Sequence, residues 1–110
     1  MEDITHPENN NISRKDGSQF WYELSEANPD AILFDGPGDD DFFDSCIVGY
    51  AWRINMEPVV VYDEEKMIEV MMFEGELSYE EAVEYLSFNT FGSWFGDGTP
   101  LILRSSKNVL

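Results

Sequence analysis

The sequence predicts an α+β domain: a small, mostly antiparallel sheet of about four strands, two adjacent helices packed on one face, and a short N-terminal helix. Helix-capping patterns at Asp63 and Ser78 place the two helices next to each other in the chain. Apolar runs rich in β-branched and aromatic residues predict strands at 31–34, 45–54, 59–62 and 101–104. Adjacent helices beside a small sheet are typical of the α+β class.

A single domain is expected, because 110 residues can form one core without a disulfide or a metal. With 43% hydrophobic and 15% aromatic residues, the chain is too apolar to be disordered despite a formal charge of -17. Residues 1–17 are polar and aperiodic, which predicts a flexible arm, and 105–110 resemble them as a tail. The globular domain is therefore expected over 18–104, beginning with a helix that Ser18 caps and Pro29 ends.

The first two strands, 31–34 and 45–54, are expected to pair as a hairpin whose long connection is the acidic stretch 35–44. The third strand, 59–62, is an unbroken apolar run, which indicates burial on both faces and a central position in the sheet. A glycine turn leads into the last strand, 101–104.

The first helix of the adjacent pair is expected to begin at the N-cap Asp63, to run through Phe73 and to end at Gly75. Only a narrow polar stripe interrupts its apolar surface, so most of its circumference should be buried. The residues expected in the core are Met67, Ile68, Val70, Met71 and Met72.

The second helix of the pair begins with a capping box formed by Ser78 and Glu81, and Gly92 is expected to stop it. Apolar residues recur at i, i+3, i+4 and i+7, which predicts one core-facing side. The residues on that side are Tyr79, Ala82, Val83 and Leu86.

The stretch "DGPGDDDFFD", 35–44, resembles a metal-binding or phosphate-binding loop in its composition. Calcium is disfavoured, because the EF-hand spacing is missing and the single G-x-G-x-D half-motif works only in stacked copies. Phosphate is disfavoured because three consecutive aspartates repel an anion and no Walker lysine follows. We therefore predict no metal site, but a surface turn that Phe42 and Phe43 anchor to the core.

The charge balance limits the partners of the chain. Twenty-three acidic residues oppose 6 basic ones, and between Gly17 and Leu103 only Arg53 and Lys66 are basic. Direct binding of nucleic acid or of an anionic membrane is excluded, since such binding depends on lysine and arginine. Charge of this size serves solubility, salt adaptation or recognition of a basic partner.

Few groups offer chemistry for an enzyme. His6 lies in the predicted arm, and Cys46 lies in a strand-like setting that indicates a buried thiol. A carboxylate-only enzyme, such as a glycosidase or a metal-dependent nuclease, remains an alternative, although a nuclease also needs basic residues to hold its substrate. We predict no catalytic residue and no cofactor. The single cysteine, with neither a signal peptide nor a membrane span, indicates the cytoplasm.

Aromatic residues near the C-terminus have two interpretations. A cluster of aromatic side chains forms either an exposed patch for a partner or part of the core, and the core is favoured. The residues are Tyr79, Phe91, Trp94 and Phe95. Asn89 is interpreted as a residue that bonds to the backbone near a helix end.

The region 35–103 resembles a widespread group of small proteins encoded by phages and prokaryotes. The stretches that carry the resemblance are, in order, "FDSCIVGYAW", "VVVYDEEKMIEVMM" with its Tyr62-Asp63 step, and "LSYEEAVEYLSFNTFGSWFGDGTPLIL". In this group a glycine stands at the position of Gly49, and an asparagine and a glycine stand at those of Asn89 and Gly92. The resemblance implies a phage or mobile-element setting and transfers no catalytic residue.

Together these features predict a non-enzymatic, phage-type binding protein in the cytoplasm of a bacterial host. Its acidic surface is expected to block the basic, nucleic-acid-binding surface of a host defence protein, as DNA-mimic inhibitors of restriction or CRISPR systems do. The alternative is a small structural or regulatory phage protein that forms a homo-oligomer, such as a homodimer, and is acidic only for solubility. The predicted partner-binding residues are Asp35, Asp39, Asp40, Asp41, Asp44, Glu65, Glu69, Glu80, Glu84 and Asp97.

Overall fold

The computed structural model describes residues 19–105, so the predicted arm 1–17, the Ser18 cap and tail residues 106–110 lie outside the described residues. Within this range, three α-helices and three strands follow one another. They are α1 (Gln19–Ala27), β1 (Ile47–Ala51), β2 (Val59–Asp63), α2 (Glu64–Glu74), α3 (Tyr79–Leu86) and β3 (Leu101–Leu103). A 3-10 turn, Asp44–Cys46, precedes β1, and a π-helical turn, Ser87–Phe91, extends α3. The α+β class and the helix order are confirmed.

In the part of the chain that the structure describes, the sheet has three strands in the order β1-β2-β3 and is mixed, which corrects the prediction of about four mostly antiparallel strands. β1 pairs antiparallel with β2, but β3 pairs parallel with β2. The parallel pairing follows from the connection, because α2 and α3 together form a long crossover between β2 and β3. β2 is central, as predicted, and its Val59, Val60 and Tyr62 are fully buried.

The predicted strand at 31–34 is wrong, and so is its hairpin with 45–54. This segment forms no ladder of hydrogen bonds with a neighbouring strand: Ile32 N–H donates to Gly98 O at 3.0 Å. Phe34 N–H instead donates to the side-chain hydroxyl of Tyr62 at 2.9 Å. A side-chain acceptor takes the place of a neighbouring strand, so the segment lies against the sheet without joining it.

The main cluster of buried apolar residues lies on one face of the sheet. Residues paired across strands share a face, so Ile47, Tyr62 and Ile102 point to the same side. There they pack with residues from α2 and α3, such as the fully buried Met67 and Leu86. This arrangement confirms that the two adjacent helices cover one face.

Both helix starts agree with their sequence signals. The Asp63 side chain accepts from Lys66 N–H at 3.1 Å at the start of α2. The Ser78 and Glu81 capping box is complete at the start of α3. Gly75 ends α2, and Gly92 ends the π-helical turn after α3.

A smaller part of the α2 surface is buried than the sequence predicts. Met67, Ile68 and Met71 are buried, whereas Met72 is 37% exposed. In α3 Ala82 and Leu86 are buried, but Tyr79, expected in the core, is 51% exposed. A small three-stranded sheet covers only one side of each helix, so the predicted burial around most of α2 is wrong.

Candidate partner-binding surface

The described residues carry a surface dominated by carboxylates. Every acidic side chain in 19–105 is exposed except four: Asp41, Asp63 and Glu64 are half-buried and Asp44 is buried. Basic side chains in the same range are Arg53, Lys66 and Arg104. One of these is already paired, because Arg104 binds Glu64 through two hydrogen bonds of 2.7 and 2.8 Å. Those bonds hold the pKa of Glu64 below its ordinary value.

The helix carboxylates occupy the exposed faces of α2 and α3. Glu65 and Glu69 are one turn apart on α2, and Glu80 and Glu84 are one turn apart on α3, and all four are exposed. Four residues of helix correspond to a rise of about 6 Å. Each pair therefore aligns two negative charges along its helix, as the sequence predicts.

An exposed phenylalanine follows each of these glutamate pairs. Phe73, four residues after Glu69, is 83% exposed, and Phe88, four residues after Glu84, is 80% exposed. Sequence reasoning did not single out these two residues as surface groups. The repeated spacing Glu-x3-Glu-x3-Phe at 65–73 and 80–88 is a signal that would have marked them.

The acidic loop 35–44 divides into an outer and an inner part. Carboxylate oxygens of Asp39, Asp40 and Asp41 lie within 4.8 Å of one another at the surface. Phe43 is fully buried, and its ring packs edge-on against Phe42 at 5.0 Å. The predicted anchoring of this loop by its phenylalanines is confirmed.

Asp44 must be removed from the predicted partner-binding residues. Its side chain is 2% exposed, so its carboxylate cannot meet a partner at the surface. Asp44 begins the 3-10 turn that leads into β1, directly after the buried Phe43. Asp35, at the start of the loop, is exposed, as predicted.

Asp97 is exposed in a turn whose aromatic residues also face solvent. Trp94 is 72% and Phe95 57% exposed, so the predicted burial of this pair is wrong. The Thr99 hydroxyl accepts from Phe95 N–H and donates to Gly96 O, each at 2.7 Å. These bonds close the turn through its backbone and leave both rings outside the core.

Two further residues bear on the chemistry of the chain. Burial raises the pKa of the Cys46 thiol to about 12, so this thiol is not a nucleophile at neutral pH. Asn89 donates from Nδ2 to Tyr85 O at 2.9 Å, which confirms its predicted backbone bond. His6 lies outside the described residues. Within residues 19–105, no helix is long and apolar enough to cross a membrane.

Comparison with known proteins gives no further guide: no protein family, no curated protein and no solved structure matches the chain. Exposed carboxylates provide long-range attraction to a basic partner, and exposed aromatic rings provide contact area once the surfaces meet.

Proposed function

We propose that this protein is a phage-type, non-enzymatic inhibitor that occupies the basic, nucleic-acid-binding surface of a bacterial defence protein in the host cytoplasm. The observation that carries the proposal is the exposure of most carboxylates in 19–105 beside three basic residues, one of which is already paired. No cofactor is part of the proposed activity.

The mechanism is competitive occlusion. Carboxylates such as those of Glu65, Glu69, Glu80 and Glu84 pair with lysine and arginine side chains that otherwise hold phosphates. The net charge accelerates association by electrostatic steering. Exposed aromatic residues then slow dissociation, because such residues contribute much of the binding energy in protein interfaces.

The helix charges support a binding role. Like charges at i and i+4 destabilise an isolated helix by roughly 0.2–0.5 kcal/mol per pair. Both α2 and α3 carry such a pair, and each of the four glutamates is exposed. The pairs give the fold no stabilisation, which is consistent with selection for an intermolecular contact.

A displacement experiment tests the proposal. Purified restriction endonucleases and CRISPR effectors are bound to fluorescein-labelled DNA, and fluorescence anisotropy follows the release of DNA as the protein is added. We expect displacement of DNA from at least one of them at low salt and weaker displacement as salt rises. A variant with Gln at 65, 69, 80 and 84 should displace DNA less. Absence of displacement at every ionic strength would contradict the proposal.

A second candidate function is that of a small structural or regulatory phage protein that assembles with itself. The face of the sheet opposite the helices favours it, because Leu101 and Leu103 on the edge strand β3 are 43% and 47% exposed. Size-exclusion chromatography with light scattering separates the two functions. A stable oligomer in which Trp94 is shielded from a fluorescence quencher, measured in a variant with Trp21→Phe and Trp52→Phe, supports self-assembly, and a monomer supports the inhibitor.

A further inference from the structure

A cavity of about 320 Å³ lies between the segment 32–35 and the residues around the end of the π-helical turn. Ile32 and Phe34 form apolar walls on one side, and Phe95 forms part of the other. The hydrogen bonds from Ile32 N–H to Gly98 O and from Phe34 N–H to Tyr62 Oη hold the first wall in place. The cavity is therefore bounded by fixed backbone.

The polar side chains that line this cavity present oxygen atoms. They are Asp35, Asn89, Thr90 and Ser93. One of the two Nδ2 hydrogens of Asn89 is used in its bond to Tyr85 O, and Oδ1 remains as an acceptor for a ligand. Among residues 19–105, no lysine or arginine lines the cavity. Its chemistry is thus a carboxylate, a carbonyl and two hydroxyls beside apolar walls.

Thr90 is the most informative of these residues. Thr90 is 5% exposed, and within the described part of the chain its hydroxyl makes no hydrogen bond. A buried hydroxyl without a partner is unfavourable, so most such groups in native proteins are satisfied by protein or water. Thr90 also belongs to a π-helical turn, a feature that occurs frequently at functional sites.

We infer that this cavity binds an arginine side chain of the partner protein. The alkyl stem of arginine fits the apolar walls, and its planar guanidinium carries five N–H donors and no acceptor. Those donors match the oxygen atoms of Asp35, Asn89 and Thr90, and the charge matches Asp35. Phe95 offers an aromatic face on which a guanidinium stacks. The inference rests on the proposed function and names the partner group that it requires.

The cavity is tested with a small probe, without any host protein. The full chain, labelled with ¹⁵N, is titrated with N-acetyl-arginine amide and followed by heteronuclear NMR. We expect saturable shifts concentrated at the amides of 32–35 and 89–95. N-acetyl-citrulline amide has the same shape without the charge, so it should bind at least about tenfold more weakly. Equal binding of the two probes, or shifts spread evenly over α2 and α3, would overturn the inference.

Single-residue variants test which side chains bind the arginine probe. Asp35→Asn should raise the Kd for N-acetyl-arginine amide about tenfold or more, because it removes a charged acceptor. Thr90→Val should raise it severalfold, whereas Thr90→Ser keeps the hydroxyl and should bind as the unmodified chain does. Glu26→Gln, an exposed change on α1, is the matched control for loss of charge. The same loss in Glu26→Gln as in Asp35→Asn would overturn the inference.

Failure of this inference is distinguishable from failure of the proposed function. Displacement of DNA together with no binding of the arginine probe would reject the cavity and keep the inhibitor. Specific binding of the probe together with no displacement would keep the cavity and reject the inhibitor.

Discussion

Two aromatic pairs, each in a loop of this protein, differ in their exposure to solvent. Phe42 and Phe43 end an acidic loop and face inward, whereas Trp94 and Phe95 lie in a glycine-rich turn and face solvent. Both pairs are apolar, and both stand beside glycine and aspartate in the sequence. The difference shows that the composition of a loop does not decide whether its aromatic residues join the core.

The connection to the sheet accounts for the difference. Phe43 is followed at once by the 3-10 turn Asp44–Cys46 and then by β1, so it enters the core together with the strand. Five residues separate Phe95 from β3, and the Thr99 hydroxyl closes the turn between them. The first pair therefore stabilises the fold, while the second is available for contact with a partner.

The largest expected effect on stability is that of truncating the buried Phe43, and truncation of the exposed Trp94 is the comparison. Phe43→Ala should lower the free energy of unfolding by about 3–5 kcal/mol, because it leaves a cavity in the core. Trp94→Ala should change it by no more than about 0.5 kcal/mol, as is usual for exposed side chains. Urea denaturation followed by far-UV circular dichroism measures both. Comparable losses in the two variants would contradict the assignment of the second pair to the surface.

A glycine substitution probes the packing of the two loops. A Cβ added to Gly36 would overlap with Phe42 Cβ, so Gly36→Ala should destabilise the fold by about 1–3 kcal/mol through overpacking. Gly92→Ala is the control near Trp94 and Phe95, because its added Cβ would lie 3.5 Å from Ser87 O, which is an ordinary contact distance. Thermal unfolding should separate the two variants, and equal midpoints would argue against close packing in the acidic loop.

A smaller effect is expected from Cys46 at alkaline pH. Burial raises its thiol pKa from 9.0 to about 12, so the folded chain keeps a proton that the unfolded chain releases. The stabilisation is fully present below pH 9 and is lost as pH rises toward 12. The unfolding free energy of the unmodified chain should therefore fall more steeply over this range than that of Cys46→Ala. Parallel curves would show that the thiol is not buried.

Local signals made much of the fold predictable. The N-cap Asp63 and the capping box of Ser78 and Glu81 involve residues within three positions of each other, so the sequence alone places both helix starts. The central strand was predictable from its unbroken apolar run. The parallel pairing of β3 was not, because it depends on how the helix pair packs.

The candidate surface was predictable only where charge alone decides exposure. Aspartates 39 and 40 and the four helix glutamates are exposed because ions are costly to bury. The burial of Asp44 depends on its neighbour Phe43. The cavity brings Asp35 and Thr90 together from positions 55 residues apart, and no local pattern reports such a contact.

The central claim is that exposed carboxylates take the place of nucleic-acid phosphates on a basic partner. The most direct test is the salt dependence of the affinity for a defence protein from which DNA is displaced, measured by calorimetry for the unmodified chain and for the variant with Gln at 65, 69, 80 and 84. The claim predicts that affinity falls steeply with salt for the unmodified chain and less steeply for the variant. An affinity independent of salt, or identical slopes for the two proteins, would contradict it.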